Sequence, residues 1–68
     1  MKRIQNIFRT CFELMGKYSR EINVADWRDI HNYHEGRLDG NDPLAVEMFA
    51  ACVSELMRQY RAQERHKK

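Results

Sequence analysis

Asp42-Pro43-Leu44-Ala45-Val46-Glu47-Met48-Phe49-Ala50-Ala51-Cys52-Val53-Ser54-Glu55-Leu56-Met57-Arg58-Gln59-Tyr60 is the strongest helical signal in the chain. Ala45, Phe49, Cys52, Val53, Leu56 and Tyr60 recur at intervals of three and four, which puts them on one face of a helix. Asp42 is placed to cap the first-turn N–H groups. Pro43 suits the first helical position, where its missing N–H costs nothing. The spacing predicts a helix over 43–63, and the rest of the chain must pack on its apolar stripe.

Upstream, Ile4, Ile7, Phe8, Cys11, Leu14, Met15 and Tyr18 fall on a second stripe, predicting a helix over 3–18. Glu13 and Lys17 stand in the favourable i,i+4 order. Gly16 is a poor interior residue, and marks either fraying or a close approach by another helix. Between these two helices, Asn23 reads as an N-cap, with Asp26 three residues later as a shortened capping box. Ile22 and Trp27 are placed as a hydrophobic staple. A short helix is expected over 23–35, with apolar positions at Val24, Trp27, Ile30 or His31, and His34, and with Gly36 as its stop. Arg37-Leu38-Asp39-Gly40-Asn41 reads as a turn, with Leu38 tucked inward.

Gly and Pro are scarce, strand-like alternation is absent, and the connections are short. Short connections favour antiparallel packing of successive helices. The chain is therefore expected to be all-α. It would form one domain over 1–68, either a small three-helix bundle or a hairpin of the second and third helices with the first packed on it. Phe8, Cys11, Met15, Trp27, Ile30, Phe49, Cys52, Val53 and Leu56 are the expected core.

At 68 residues there is room for one domain. Such a domain buries only about 60% of the surface its unfolded chain exposes, so its stability is marginal. No long apolar run follows Lys2 and Arg3, since Arg9 and Glu13 interrupt the only candidate. The expectation is a cytoplasmic protein with no signal peptide and no membrane span, and with Cys11 and Cys52 as reduced core thiols.

The net charge of +2 hides a segregation. Residues 1–20 carry a balance of +4, residues 21–55 one of −6, and residues 56–68 again +4. Such blocks bear on partners more than the total does.

Four chemistries have candidate residues in this chain. Cys11, Cys52, His31 and His34 supply the donor types of a Cys₂His₂ zinc site, but paired-cysteine spacing is absent and each cysteine stands alone on an apolar stripe. The expectation is no metal and no other cofactor. Catalysis lacks a glycine-rich phosphate loop and a nucleophile elbow, and the carboxylates read as a solvated acidic face, so no enzyme is expected. Nucleic acid has a candidate face in Arg58, Arg61, Arg65 and Lys68, with Lys2, Arg3 and Arg9 as a second patch. Against it stand the acidic middle of the chain, and Asp42, Leu44 and Glu47 opening the third helix where base-reading side chains are wanted.

The fourth chemistry is protein–protein contact. Val46, Met48, Ala50 and Met57 lie off the main stripe of the third helix, and Phe12 lies off that of the first. A helix apolar on more than one side is normally buried on more than one side, and methionines suit adaptable interfaces. Phe12, Val46, Met48 and Met57 are the expected contact residues, and the expected partner is a second copy or a host protein. The alternative is a nucleic-acid-binding regulator using the basic C-terminal face.

Met1-Lys2-Arg3-Ile4-Gln5-Asn6-Ile7-Phe8 and Trp27-Arg28-Asp29-Ile30-His31-Asn32-Tyr33-His34-Glu35-Gly36-Arg37-Leu38 resemble the small early-region accessory proteins of lambdoid bacteriophages and prophages, of the kind encoded between exo and xis. The resemblance implies a cytoplasmic adaptor that alters host regulation or replication. It carries over no functional residue.

Overall fold

The computed structural model describes residues 2–66. Helix α1 spans Lys2–Lys17, α2 spans Asp26–Asn32 and α3 spans Pro43–His66. The fold is all-α, and α1 packs along α3. Arg3, at the start of α1, bonds Asp42, just before α3. Ile22, beyond the end of α1, meets Gln63, near the end of α3. The two long helices therefore run parallel, and the segment from 23 to 42, which holds α2, makes the return. The molecule measures 46 × 18 × 17 Å. Its length follows from α3, which at 1.5 Å per residue is about 36 Å long.

The start of α3 forms as its sequence requires. The Asp42 carboxylate accepts the Leu44 N–H at 3.1 Å, and the Asp42 carbonyl accepts the Val46 N–H at 3.0 Å. At the second helix only part of the capping box is present. The Asp26 carboxylate reaches back to the Asn23 N–H at 2.8 Å, but no side chain caps from Ala25, which precedes the first helical residue. α2 ends at Asn32 with Tyr33 as its cap, so Gly36 is not its stop; Gly36 adopts φ 74° in the turn that follows, a left-handed conformation in which a Cβ is disfavoured.

The core falls into two clusters along the α1–α3 seam. Ile7, Cys11 and Ala45 form one, with Leu38, Leu44, Met48 and Cys52 packed against it. Leu14, Tyr18, Ile22, Ile30, Tyr33 and Leu56 form the other, with Met15, Trp27, Phe49, Cys52, Val53 and Tyr60 around it. Cys52 bridges both. Ile22 and Trp27, the staple pair, meet in the second cluster, and Leu38 tucks inward as its turn requires.

Several expectations are corrected. Phe8 is 54% exposed, not core. The buried line of α1 runs Ile7, Thr10, Cys11, Leu14, and residue 8 sits about 100° around the helix from residue 7. The second helix covers only Asp26–Asn32, so Val24 precedes it in a turn and is 74% exposed. Nothing lies within 4 Å of a Cβ built on Gly16, so no helix approaches it closely. Lys17 pairs with Asp29 at 2.9 Å and not with Glu13, because the α1–α2 crossing offers a carboxylate already held by Tyr18.

Candidate interaction surface

Hydrogen bonds and ion pairs fix how the elements present their surfaces. Arg3 holds Asp42 with Nε and Nη2 at 2.6 and 2.7 Å. Arg20 holds Asp26 at 3.1 Å, and Lys17 holds Asp29 at 2.9 Å. Three acids of the acidic middle are thus matched within the chain by three bases of the first twenty residues. Their partners lower all three carboxyls: the Arg3 guanidinium for Asp42, that of Arg20 for Asp26, and the Tyr18 hydroxyl and then Lys17 for Asp29. Arg58 reaches Glu55 at 2.7 Å on the solvent side of α3. Glu47, Arg61 and Arg65 enter no ion pair among the described residues.

The four expected contact residues lie in separate places. Phe12, on α1, is 79% exposed. Val46 is 48% exposed and lines an apolar groove of about 300 Å³ with His34, Leu38, Phe49 and Ala50. Inside this groove the His34 ring stands 5.0 Å from that of Phe49 and donates from Nδ1 to the His31 carbonyl at 3.0 Å. Met57 lines a second groove, of about 380 Å³, with Val53, Ser54, Arg58 and Arg61. Met48 packs against the Ile7–Cys11–Ala45 cluster, so part of its surface serves the fold. Val46 and Met57 share α3, Phe12 joins neither groove, and Phe8 adds a further exposed aromatic that its place on the sequence stripe concealed.

Of the basic face, Arg58, Arg61 and Arg65 are exposed on α3. Lys68 lies outside the described residues. Of the zinc donor set, Cys11 and Cys52 meet, while His31 tilts against Trp27 and His34 against Phe49. Burial, and then the neighbouring Cys52, push the Cys11 thiol up to about 11. Among the described residues no three His, Cys, Asp or Glu side chains gather as a metal site would require.

No helix among the described residues is long and apolar enough to cross a membrane. No family model, no curated protein and no solved structure matches the chain.

Proposed function

We propose that the chain is a small, non-enzymatic, cytoplasmic protein–protein interaction module, a regulatory accessory protein of the phage type, acting by dimerising or by binding a host protein. One observation carries this reading. Phe12, Phe8 and Val46 are 79%, 54% and 48% exposed while the core is already filled by Leu14, Tyr18, Ile22, Ile30 and Leu56. Scattered apolar residues are ordinary on a surface, but two large aromatics one turn apart on α1, together with an apolar groove beside α3, are features suited to a partner. Sedimentation equilibrium of the full chain over a range of concentrations tests it. The expected result is a dimer that Met57→Glu shifts toward monomer with helicity kept. A wild-type chain monomeric to millimolar concentration would rule out the dimer and leave a foreign partner.

The second reading is a nucleic-acid-binding regulator. Arg61 and Arg65 favour it, since among the described residues they enter no ion pair and they stand beside Arg58 on an exposed helix face. Phosphate binding releases counterions, so it must weaken steeply as salt rises. A gel shift with duplex DNA at low and at physiological salt separates the two readings. Binding that is tight at low salt and lost at the higher one supports the regulator. No shift at either supports the interaction module.

A further inference from the structure

The outward face of α3 carries an ordered set of charges that the fold does not use. Glu47, Ser54 and Arg61 are seven residues apart, so they return to nearly the same side of the helix, with a drift of about 20° per heptad. All three are exposed. Ser54 lies about half a turn around the helix from Leu56, which is fully buried against the bundle. This face therefore points away from α1. Ala50 lies between Glu47 and Ser54, and Met57 between Ser54 and Arg61. Met57, Ser54 and Arg61 also border the second groove. Glu47 and Arg61 have no ionic partner among the described residues, whereas the acids at 26, 29 and 42 are matched internally.

We infer that this face is a homodimer interface in which two copies of α3 pack antiparallel about a two-fold axis at Ser54, with Glu47 of each copy beside Arg61 of the other. The inference rests on the self-association reading above and assigns it to α3 around Ser54 and Met57, leaving Phe8 and Phe12 on α1 outside the contact. In an antiparallel pair, residues equidistant from the axis face each other. Glu47 and Arg61 each stand seven residues from Ser54, about 10.5 Å along the helix, so both opposite-charge pairs close at once. A parallel two-fold pair would instead set Glu47 against Glu47 and Arg61 against Arg61. The charges thus choose the orientation, which is what complementary surface charge does best. Ala50 and Ser54 are small enough for the helix axes to approach to the usual 8–10 Å. Met57 of one copy then falls near Ala51 of the other and fills the space that Ala51 leaves. A closed two-fold pair is also the commonest way for a small chain to cover one face.

The test is a charge-swap series on the full chain, read by sedimentation equilibrium at low salt. Glu47→Arg and Arg61→Glu should each raise the dimer Kd by about tenfold or more, since each replaces two attractions with two repulsions. The double variant Glu47→Arg/Arg61→Glu should return the Kd to within about threefold of wild type, which a merely misfolded variant would not do. A dimer that the single changes leave unmoved, or that the double change fails to rescue, overturns this interface while self-association stands. A wild-type chain that stays monomeric overturns both.

Discussion

Arg3 grips the Asp42 carboxylate with two nitrogens, at 2.6 and 2.7 Å, while the same carboxylate caps α3 through the Leu44 N–H at 3.1 Å. One side chain thus both starts the longest helix and ties the beginning of α1 to it. The Asp42 side chain is only 10% exposed. A bidentate guanidinium–carboxylate pair fixes orientation as well as proximity, so the parallel course of α1 and α3 is pinned at this end.

Acid should loosen that tie. Arg3 first, and the amides of Leu44 and Ala45 after it, hold the Asp42 carboxyl below the ordinary carboxylate range. The unfolded chain therefore takes up the proton before the folded one. The stabilisation is complete above the unfolded value of about 4 and drains away as pH falls through the lower native value. Asp26 and Asp29 are shifted the same way and add to the trend. Thermal melts followed by circular dichroism should show a midpoint flat near neutrality and dropping below about pH 4. Asp42→Asn should lower the midpoint at neutral pH and flatten its fall in acid. An unchanged acid limb would mean that Arg3 and Asp42 contribute nothing net.

At alkaline pH the sign reverses and Tyr18 is the group to watch. It is buried, and its hydroxyl donates to Asp29. Burial first, and that bond second, push the phenol up to about 12. Its contribution is whole below the unfolded value of about 10 and is lost as pH rises from there through about 12. Tyr18→Phe should cost about 1 kcal/mol at neutral pH, the usual worth of one hydrogen bond, and should remove this alkaline loss. Tyrosinate absorbance against pH is the direct measurement: a late-titrating phenol should be present in the wild type and absent from the variant.

The contrast between buried and exposed apolar residues gives a second kind of test. Leu14 is fully buried in the larger cluster, whereas Phe12, two residues before it, is 79% exposed. Leu14→Ala should cost about 2–5 kcal/mol through lost transfer energy and the cavity left behind. A single core of this size rarely supplies more than about 3–5 kcal/mol, so that change should leave much of the chain unfolded in a urea titration. Phe12→Ala should shift stability by no more than about 0.5 kcal/mol. A large loss at Phe12 would show that it serves the fold and remove it from the interaction surface.

These residues also show where the sequence was readable. The α1 and α3 stripes and the Asp42 cap depend on local spacing and backbone preference, and each stands where its residues place it, whereas α2 ends at Asn32, ahead of the stop expected at Gly36. Phe8 departs from its expected place in the core because Ile7 and Phe8 both fit an apolar stripe, and only the docking of α1 on α3 decides which of them faces in. Isolated helices shorter than about 12–15 residues are marginal, and α2, with 7 residues, owes its limits to the surrounding contacts. Ile22 and Tyr33 are buried from outside any regular helix; the staple spacing points to Ile22, while the expected stripe through Trp27, Ile30 and His34 passes Tyr33 by. Glu47 and Arg61 are visible as charges, but that they enter no ion pair among the described residues appears only once the pairs made by Asp26, Asp29 and Asp42 are placed.

The far end of the α1–α3 seam depends on Gln63. Its side-chain amide donates to the Ile22 carbonyl at 2.6 Å and accepts the Ile22 N–H at 2.8 Å. Ile22 lies outside any helix and is buried, so its backbone has no ladder to satisfy it and depends on this one side chain, 41 residues away in sequence. Gln63→Ala strips both bonds from the Ile22 backbone, and leaving buried polar groups unsatisfied costs about 1–3 kcal/mol. The loss should be local before it is global. Hydrogen exchange at the Ile22 amide should quicken by more than at Leu56, because the connection can lift off without dissolving the clusters. Gln63→Glu is the sharper comparison, since a carboxylate accepts the Ile22 N–H but cannot donate to the Ile22 carbonyl. At neutral pH it should behave more like alanine than like glutamine. Equal exchange rates at Ile22 in wild type and Gln63→Ala would show that the two Gln63 bonds do not hold the connection.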